Sequence, residues 1–105
     1  MLKLRFAAGG YDRLDALQYG IVQPEGIELE FNEINAPRRI FDGMLSGGLF
    51  DVSEFSSSEF ITRSLRGNFP FVGIPVFPSK AFRHGFIYIN KHAGITSPKD
   101  LEGKR

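Results

Sequence analysis

Cysteine is absent from the chain. A disulfide framework, a thiolate nucleophile and a cysteine-ligated metal are therefore excluded, while a reducing or an oxidising compartment stays open. Long apolar runs are absent too, and no stretch approaches the length that spans a bilayer. Nor does charge of one sign dominate. The 13 basic and 12 acidic residues are interspersed and leave a net charge of +1, which argues against a nucleic-acid footprint. A charged leader followed by an apolar core is missing as well. Met1-Leu2-Lys3-Leu4-Arg5-Phe6 alternates apolar and basic residues from the first position, as a strand does, so no export signal is read and a cytoplasmic protein is expected. What the chain does have is 42% hydrophobic residues with 11 phenylalanines, enough for the core of one domain.

Two periods alternate along the chain. Leu2, Leu4 and Phe6 share one face of a first strand, Gly9-Gly10 allows a tight turn, and a helix follows with Leu14, Leu17 and Ile21 inward and Asp12 as cap. Gly20 stops that helix. Pro24-Glu25-Gly26 turns the chain into Ile27-Glu28-Leu29-Glu30-Phe31-Asn32, the clearest period-two strand. Ala36-Pro37 opens a second helix with Ile40, Phe41, Met44 and Leu45 on one face, and Gly47-Gly48 ends it. Residues 50–55 predict a third strand, Ser56 and Glu59 a capping box, and Phe60, Ile61, Ser64 and Leu65 the inner stripe of a third helix that ends at Arg66-Gly67-Asn68. This succession is an α/β pattern, without internal repeats or low-complexity tracts.

Two apolar runs follow, residues 71–76 and 85–90, and both read as buried strands. Between them Ser79, Lys80, Arg83 and His84 crowd a short connector. It reads as an anion-holding loop at a sheet end, or as a solvated turn. The tail has a cap at Ser97, Pro98 at the first helical position and a glycine stop at Gly103, and then Lys104-Arg105 leads on as if toward a further element. The chain is therefore expected to be a piece of a longer protein.

In open α/β sheets, ligands bind outside the carboxyl ends of the strands. Three such places are predicted here: Gly9 to Asp12, Glu54 to Ser58, and Pro78 to His84. Ser56 and Ser57 at a helix start suit a carboxylate or phosphate, and Arg83 can grip one bidentately. Glu54 is anomalous beside an anion site unless it is protonated or paired with Arg83 or Lys80. Tyr11 and Asp12 read as a turn and cap, with ligand contact as the other reading. His84 and His92 match no metal-ligand spacing, so no residue is assigned to a metal. No dinucleotide fingerprint or P-loop is present, so no cofactor is expected either. Covalent serine catalysis by Ser56 is disfavoured because no G-x-S-x-G elbow exists.

The stretches Tyr11-Asp12-Arg13, Pro24-Glu25-Gly26-Ile27, Phe50-Asp51-Val52-Ser53-Glu54, Arg66-Gly67-Asn68, Ile74-Pro75-Val76-Phe77-Pro78-Ser79, Phe82-Arg83-His84 and Pro98-Lys99-Asp100-Leu101-Glu102-Gly103-Lys104-Arg105 resemble the amino-terminal part of the 4,5-dihydroxyphthalate decarboxylase family. The resemblance covers essentially the whole chain. It implies the type II periplasmic-binding-protein fold, with residues 1–105 as one incomplete α/β lobe that lacks the second lobe and the returning strand. It also implies a partner of one chemical kind, a small hydroxylated aromatic carboxylate. Some relatives in that superfamily are substrate-binding components of ABC transporters, so a carboxy-lyase and a receptor for a small anionic solute both stand as readings. An inactive piece of either is the third.

Decarboxylation of an electron-rich aromatic acid needs a cationic clamp on one carboxylate, a proton donor near the other, and exclusion of water. Arg83 with the Ser56 helix start is the expected clamp, and His84 or a protonated Glu54 the expected donor. Tyr11, Asp12, Ser57, Ser79 and Lys80 complete the expected substrate contacts.

Overall fold

The alternation of apolar residues in the first and second predicted strands is satisfied by one small parallel sheet. In the computed structural model, which describes residues 1–104, β1 (Leu2–Ala8) lies between β2 (Ile27–Glu33) and β3 (Val52–Ser53). β1 and β2 run in step from Leu2 opposite Ile27 to Ala8 opposite Glu33. β3 joins the other edge of β1, with Val52 opposite Phe6 and Ser53 opposite Ala7. The chain is thus a mixed α/β protein with a three-stranded parallel sheet.

The centre of the core is narrow. Ala7 and Ala8 of β1 are fully buried, and α2 (Pro37–Leu45) packs over β1 and β3 with Ile40 completely enclosed. Small residues on the central strand let the helix approach closely. Gly43 serves the same end, because a Cβ there would stand 2.7 Å from the Phe50 ring. Phenylalanines build the rest. Phe6 and Phe31 face each other across β1 and β2 with centroids 5.1 Å apart. A second chain of rings runs from Phe41 to Phe55, Phe69 and Phe71, with Phe60 against Phe69, at spacings of 5.1 to 5.9 Å. It ties α2 and the end of β3 to α3 (Ser57–Arg66).

Asp51 pins the short edge strand. Its carboxylate accepts from the Arg5 backbone amide at 2.8 Å and from the Arg5 guanidinium at 3.0 and 3.1 Å. The guanidinium bonds, with the Arg5 amide adding to them, hold the Asp51 carboxyl below the usual carboxylate range. A carboxyl with a depressed folded pKa stabilises the fold above its unfolded pKa, and this contribution is lost as pH falls through the folded value. The thermal midpoint is expected to fall as pH drops below about 4. Asp51→Asn should flatten that fall in a pH series of melts, and an unchanged slope would separate Asp51 from the acid limb.

Several expectations are corrected. The first helix is split into a 3-10 turn, Asp12–Leu14, and the four-residue α1 (Asp15–Gln18), and Ile21 is exposed rather than inward. Asp12 does not cap it; its carboxylate accepts from the Arg13 amide instead. The third strand is two residues long: Val52 and Ser53 pair with Phe6 and Ala7, flanked by the Asp51 and Glu54 amides on the Arg5 and Ala7 carbonyls. Ser56 does cap α3, accepting from the Glu59 amide, but Glu59 does not return the bond and pairs with Arg63 and Arg38. On α3 Phe60 is half-buried, yet Ile61 and Leu65 face solvent.

The two apolar runs are not strands. Residues 71–76 are irregular, and Arg83–Phe86 forms a 3-10 turn within the second region. Val72, Ile74, Val76, Ile87 and Tyr88 are exposed. A strand exists only through a neighbour's hydrogen bonds, and none of the described strands reaches these runs; Pro70, Pro75 and Pro78 also remove amide donors. The radius of gyration is accordingly 18.4 Å, against about 13 Å for a compact domain of this length. The tail behaves as expected: Pro98–Leu101 is a single 3-10 turn, Asp100 accepts from the Thr96 and Ser97 amides, and Gly103 has φ of 71°.

Candidate functional site

The strand order β2-β1-β3 creates a point where the chain's path reverses. From β1 the chain leads to β2 on one side, and from β2 it returns through α2 to β3 on the other. Between the carboxyl ends of β1 and β3 no connection crosses, and this is where open α/β sheets hold their ligands. Glu54 stands there, directly after β3.

Parallel strands point successive amides alternately to their two neighbours. Ala7 and Ala8 still find backbone partners, their carbonyls accepting from Glu54 N–H at 3.1 Å and Ile34 N–H at 2.9 Å. One residue further on the ladder ends, and side chains replace it. Gly9 N–H donates to Glu54 Oε1 at 2.9 Å on the β3 side. Gly10 N–H donates to Asn35 Oδ1 at 3.0 Å on the β2 side. Glu54 Oε2 then accepts from the Tyr11 hydroxyl at 2.9 Å. The half-buried carboxylate is thus fixed by one oxygen to the main chain and by the other to a phenol.

Tyr11 folds back over the turn. Its ring lies so close to Gly9 that a Cβ there would stand 3.1 Å from Cζ, so the two glycines serve close approach. Neither has a positive φ. Burial first, then the bond to Glu54 and its charge, push the Tyr11 phenol above its ordinary value, opposed by the Ser79 hydroxyl and the Arg13 guanidinium. Tyr11 is therefore a proton-bearing donor at neutral pH. Glu54 is an acceptor on both oxygens.

The connector reaches this group at one end. Arg13 Nη1 donates to the Pro78 carbonyl, and Ser79 lies beside Tyr11. Of the three predicted places, the end of β1, the end of β3 and the start of the connector do come together. Among the described residues, no hydrogen bond or ion pair joins Lys80, Arg83 or His84 to Glu54; Arg83 lies over the Phe86 ring at 5.5 Å, and His84 is next to Phe82 at 6.2 Å. The expected pairing of Glu54 with Arg83 or Lys80 is corrected: a main-chain amide and a phenol occupy its oxygens instead. Asp12 turns away, with its side chain 86% exposed. Ser56 spends its hydroxyl on Ser58 and the helix amide, and Ser57 is exposed on the first turn of α3.

A second polar group was not anticipated from the sequence. Glu33 accepts from Gln18 and from Asn35, both at 2.8 Å, on the β2 side of the same turn. A polar pair directly after the clearest strand, Glu33 and Asn35, was the available signal. Among the described residues, no cluster of three or more His, Asp or Glu suited to a metal occurs, and no helix is long and apolar enough to cross a membrane.

No family model matches the chain. Over 104 residues, 99% of the chain, it is 39% identical to the 4,5-dihydroxyphthalate decarboxylase of Comamonas testosteroni. It is also 39% identical, over the same share, to the 4,5-dihydroxyphthalate decarboxylase of Pseudomonas putida. The resemblance read from the sequence motifs is borne out along essentially the whole chain. The chain spans 31% of the first relative's length and 40% of the second's.

Proposed function

We propose that the chain is one lobe of a carboxy-lyase-like enzyme that takes a small hydroxylated aromatic dicarboxylate, of the 4,5-dihydroxyphthalate kind, into a cleft between two lobes and removes one carboxyl group. The observation that carries this reading is 39% identity, over 99% of the chain, to two proteins named for that reaction. The position of Glu54 and Tyr11 at the sheet's reversal point supports it. The lobe is that of a type II periplasmic-binding-protein fold, completed by a second lobe, and the reaction takes place in the cytoplasm.

The chemistry follows from the donor and acceptor states. Glu54 already accepts two hydrogen bonds, and in this reading it acts as the proton acceptor. It takes the proton of the ring hydroxyl para to the departing carboxylate, and the released electron pair raises the charge on the carbon bearing that carboxylate. That carbon takes a proton from the His84 imidazolium, the carbon–carboxylate bond breaks, and its electron pair returns to the ring as CO2 leaves. The ring oxygen recovers its proton from Glu54. Arg83 and Lys80 hold the second carboxylate, with the amides of Ser56 and Ser57 beside it, once the connector closes over the cleft.

The test uses the protein of the complete open reading frame. Incubated with 4,5-dihydroxyphthalate it should release CO2, and His84→Ala should lower that release by ~10²- to 10⁴-fold. No release, together with tight binding of a small anion, would overturn the enzyme in favour of a solute receptor.

A further inference from the structure

Glu33 has no place in the reaction just described, yet it is built into the same turn. Its carboxylate lies against the Gly10 α-carbon, where a Cβ would stand 2.6 Å from Oε1. It receives an amide donor from Gln18 in α1 and another from Asn35 after β2, each at 2.8 Å. With the NH2 group of Asn35 turned to Glu33, the Asn35 carbonyl faces Gly10 N–H at 3.0 Å. The direction of every bond in this row is set by the carboxylate, which alone can only accept. Tyr11 follows Gly10 directly, and α1 begins four residues beyond it.

We propose that Glu33 is a positioning residue: through Asn35 and Gln18 it clamps the Gly10 amide and α1, and so sets the Tyr11 phenol on Glu54. The proposal rests on the reading of Glu54 and Tyr11 as the working pair. The two carboxylates divide the turn between them, Glu54 holding the amide of Gly9 and Glu33, through Asn35, that of Gly10. The Gln18 and Asn35 amides keep Glu33 below the usual carboxylate range, so it stays an acceptor at neutral pH.

Bond polarity offers a test. In Glu33→Gln the row survives with one bond reversed: the new carbonyl still accepts from Asn35, and Gln18 turns its own carbonyl to the new NH2. In Asn35→Asp two carboxylates face each other. With both substitutions the row is restored with reversed polarity: the new side-chain amide donates to the new carboxylate, and that carboxylate accepts from Gly10 N–H. In the complete protein Asn35→Asp is expected to lose roughly 10-fold in kcat with KM within about twofold, and Glu33→Gln and the double variant to stay within about threefold of wild type. Titration of Tyr11 by carbon NMR, assigned with Tyr11→Phe, should show the raised value in wild type, Glu33→Gln and the double variant and a shift toward the ordinary value in Asn35→Asp. An Asn35→Asp variant that matches wild type in both readouts, or a double variant that loses as much as Asn35→Asp alone, would overturn the proposal. If wild type released no CO2, the carboxy-lyase reading would fail, and the Tyr11 titration would still decide the positioning role.

Discussion

Glu54→Gln in the complete protein is expected to cut CO2 release from 4,5-dihydroxyphthalate by ~10²- to 10⁴-fold, the range over which a positioned proton acceptor contributes. The substitution keeps the shape of the side chain and removes its capacity to take a proton. Gly9 N–H and the Tyr11 hydroxyl both donate to Glu54, so an amide there leaves one of them facing an NH2 group. The phenol can turn and accept instead, and the fold should survive. The loss is therefore expected in kcat, with a melting temperature close to that of wild type. Tyr11 should then titrate nearer its ordinary value, because the carboxylate charge that helps to raise it is gone. Turnover within threefold of wild type, in a protein that melts normally, would remove Glu54 from the chemistry.

The second large effect concerns stability. Ile40→Ala should destabilise the protein by about 2 to 5 kcal/mol, the usual cost of emptying a buried isoleucine site. Among the described residues Ile40 is the largest side chain that is wholly buried, and its companions in full burial, Ala7 and Ala8, have no atoms to move into the space. A loss of this size is a large part of the ~5 to 15 kcal/mol that holds a domain folded. Urea unfolding of wild type and variant gives the value directly. A difference below about 0.5 kcal/mol would mean that α2 is not the lid of the core.

The second strand was legible because its evidence is local. Ile27, Leu29 and Phe31 alternate with Glu28, Glu30 and Asn32, and a parallel neighbour in full register bears this out. Ser97, Pro98 and Gly103 were legible for the same reason, since a cap, a first-turn proline and a glycine stop act within a few residues. Residues 71–76 and 85–90 carry the same apolar, branched composition and are not strands. Composition makes a segment able to join a sheet, and only a neighbouring ladder makes it do so.

The candidate site divides along the same line. Glu54 could be singled out from sequence as a carboxylate out of place at a helix start, and Tyr11 as a residue at the end of a strand. Their partnership could not, because Gly9 and Tyr11 lie 45 and 43 residues from Glu54 along the chain. By itself the sequence determined the α/β succession, the helix and turn boundaries set by local caps, and a kinship with decarboxylases that runs the length of the chain. The tertiary structure decided which side chain meets which. Parallel pairing brings the carboxyl ends of β1, β2 and β3 to one edge, and there the strands' unpaired amides must find acceptors, so Glu54 and Asn35 go to Gly9 and Gly10.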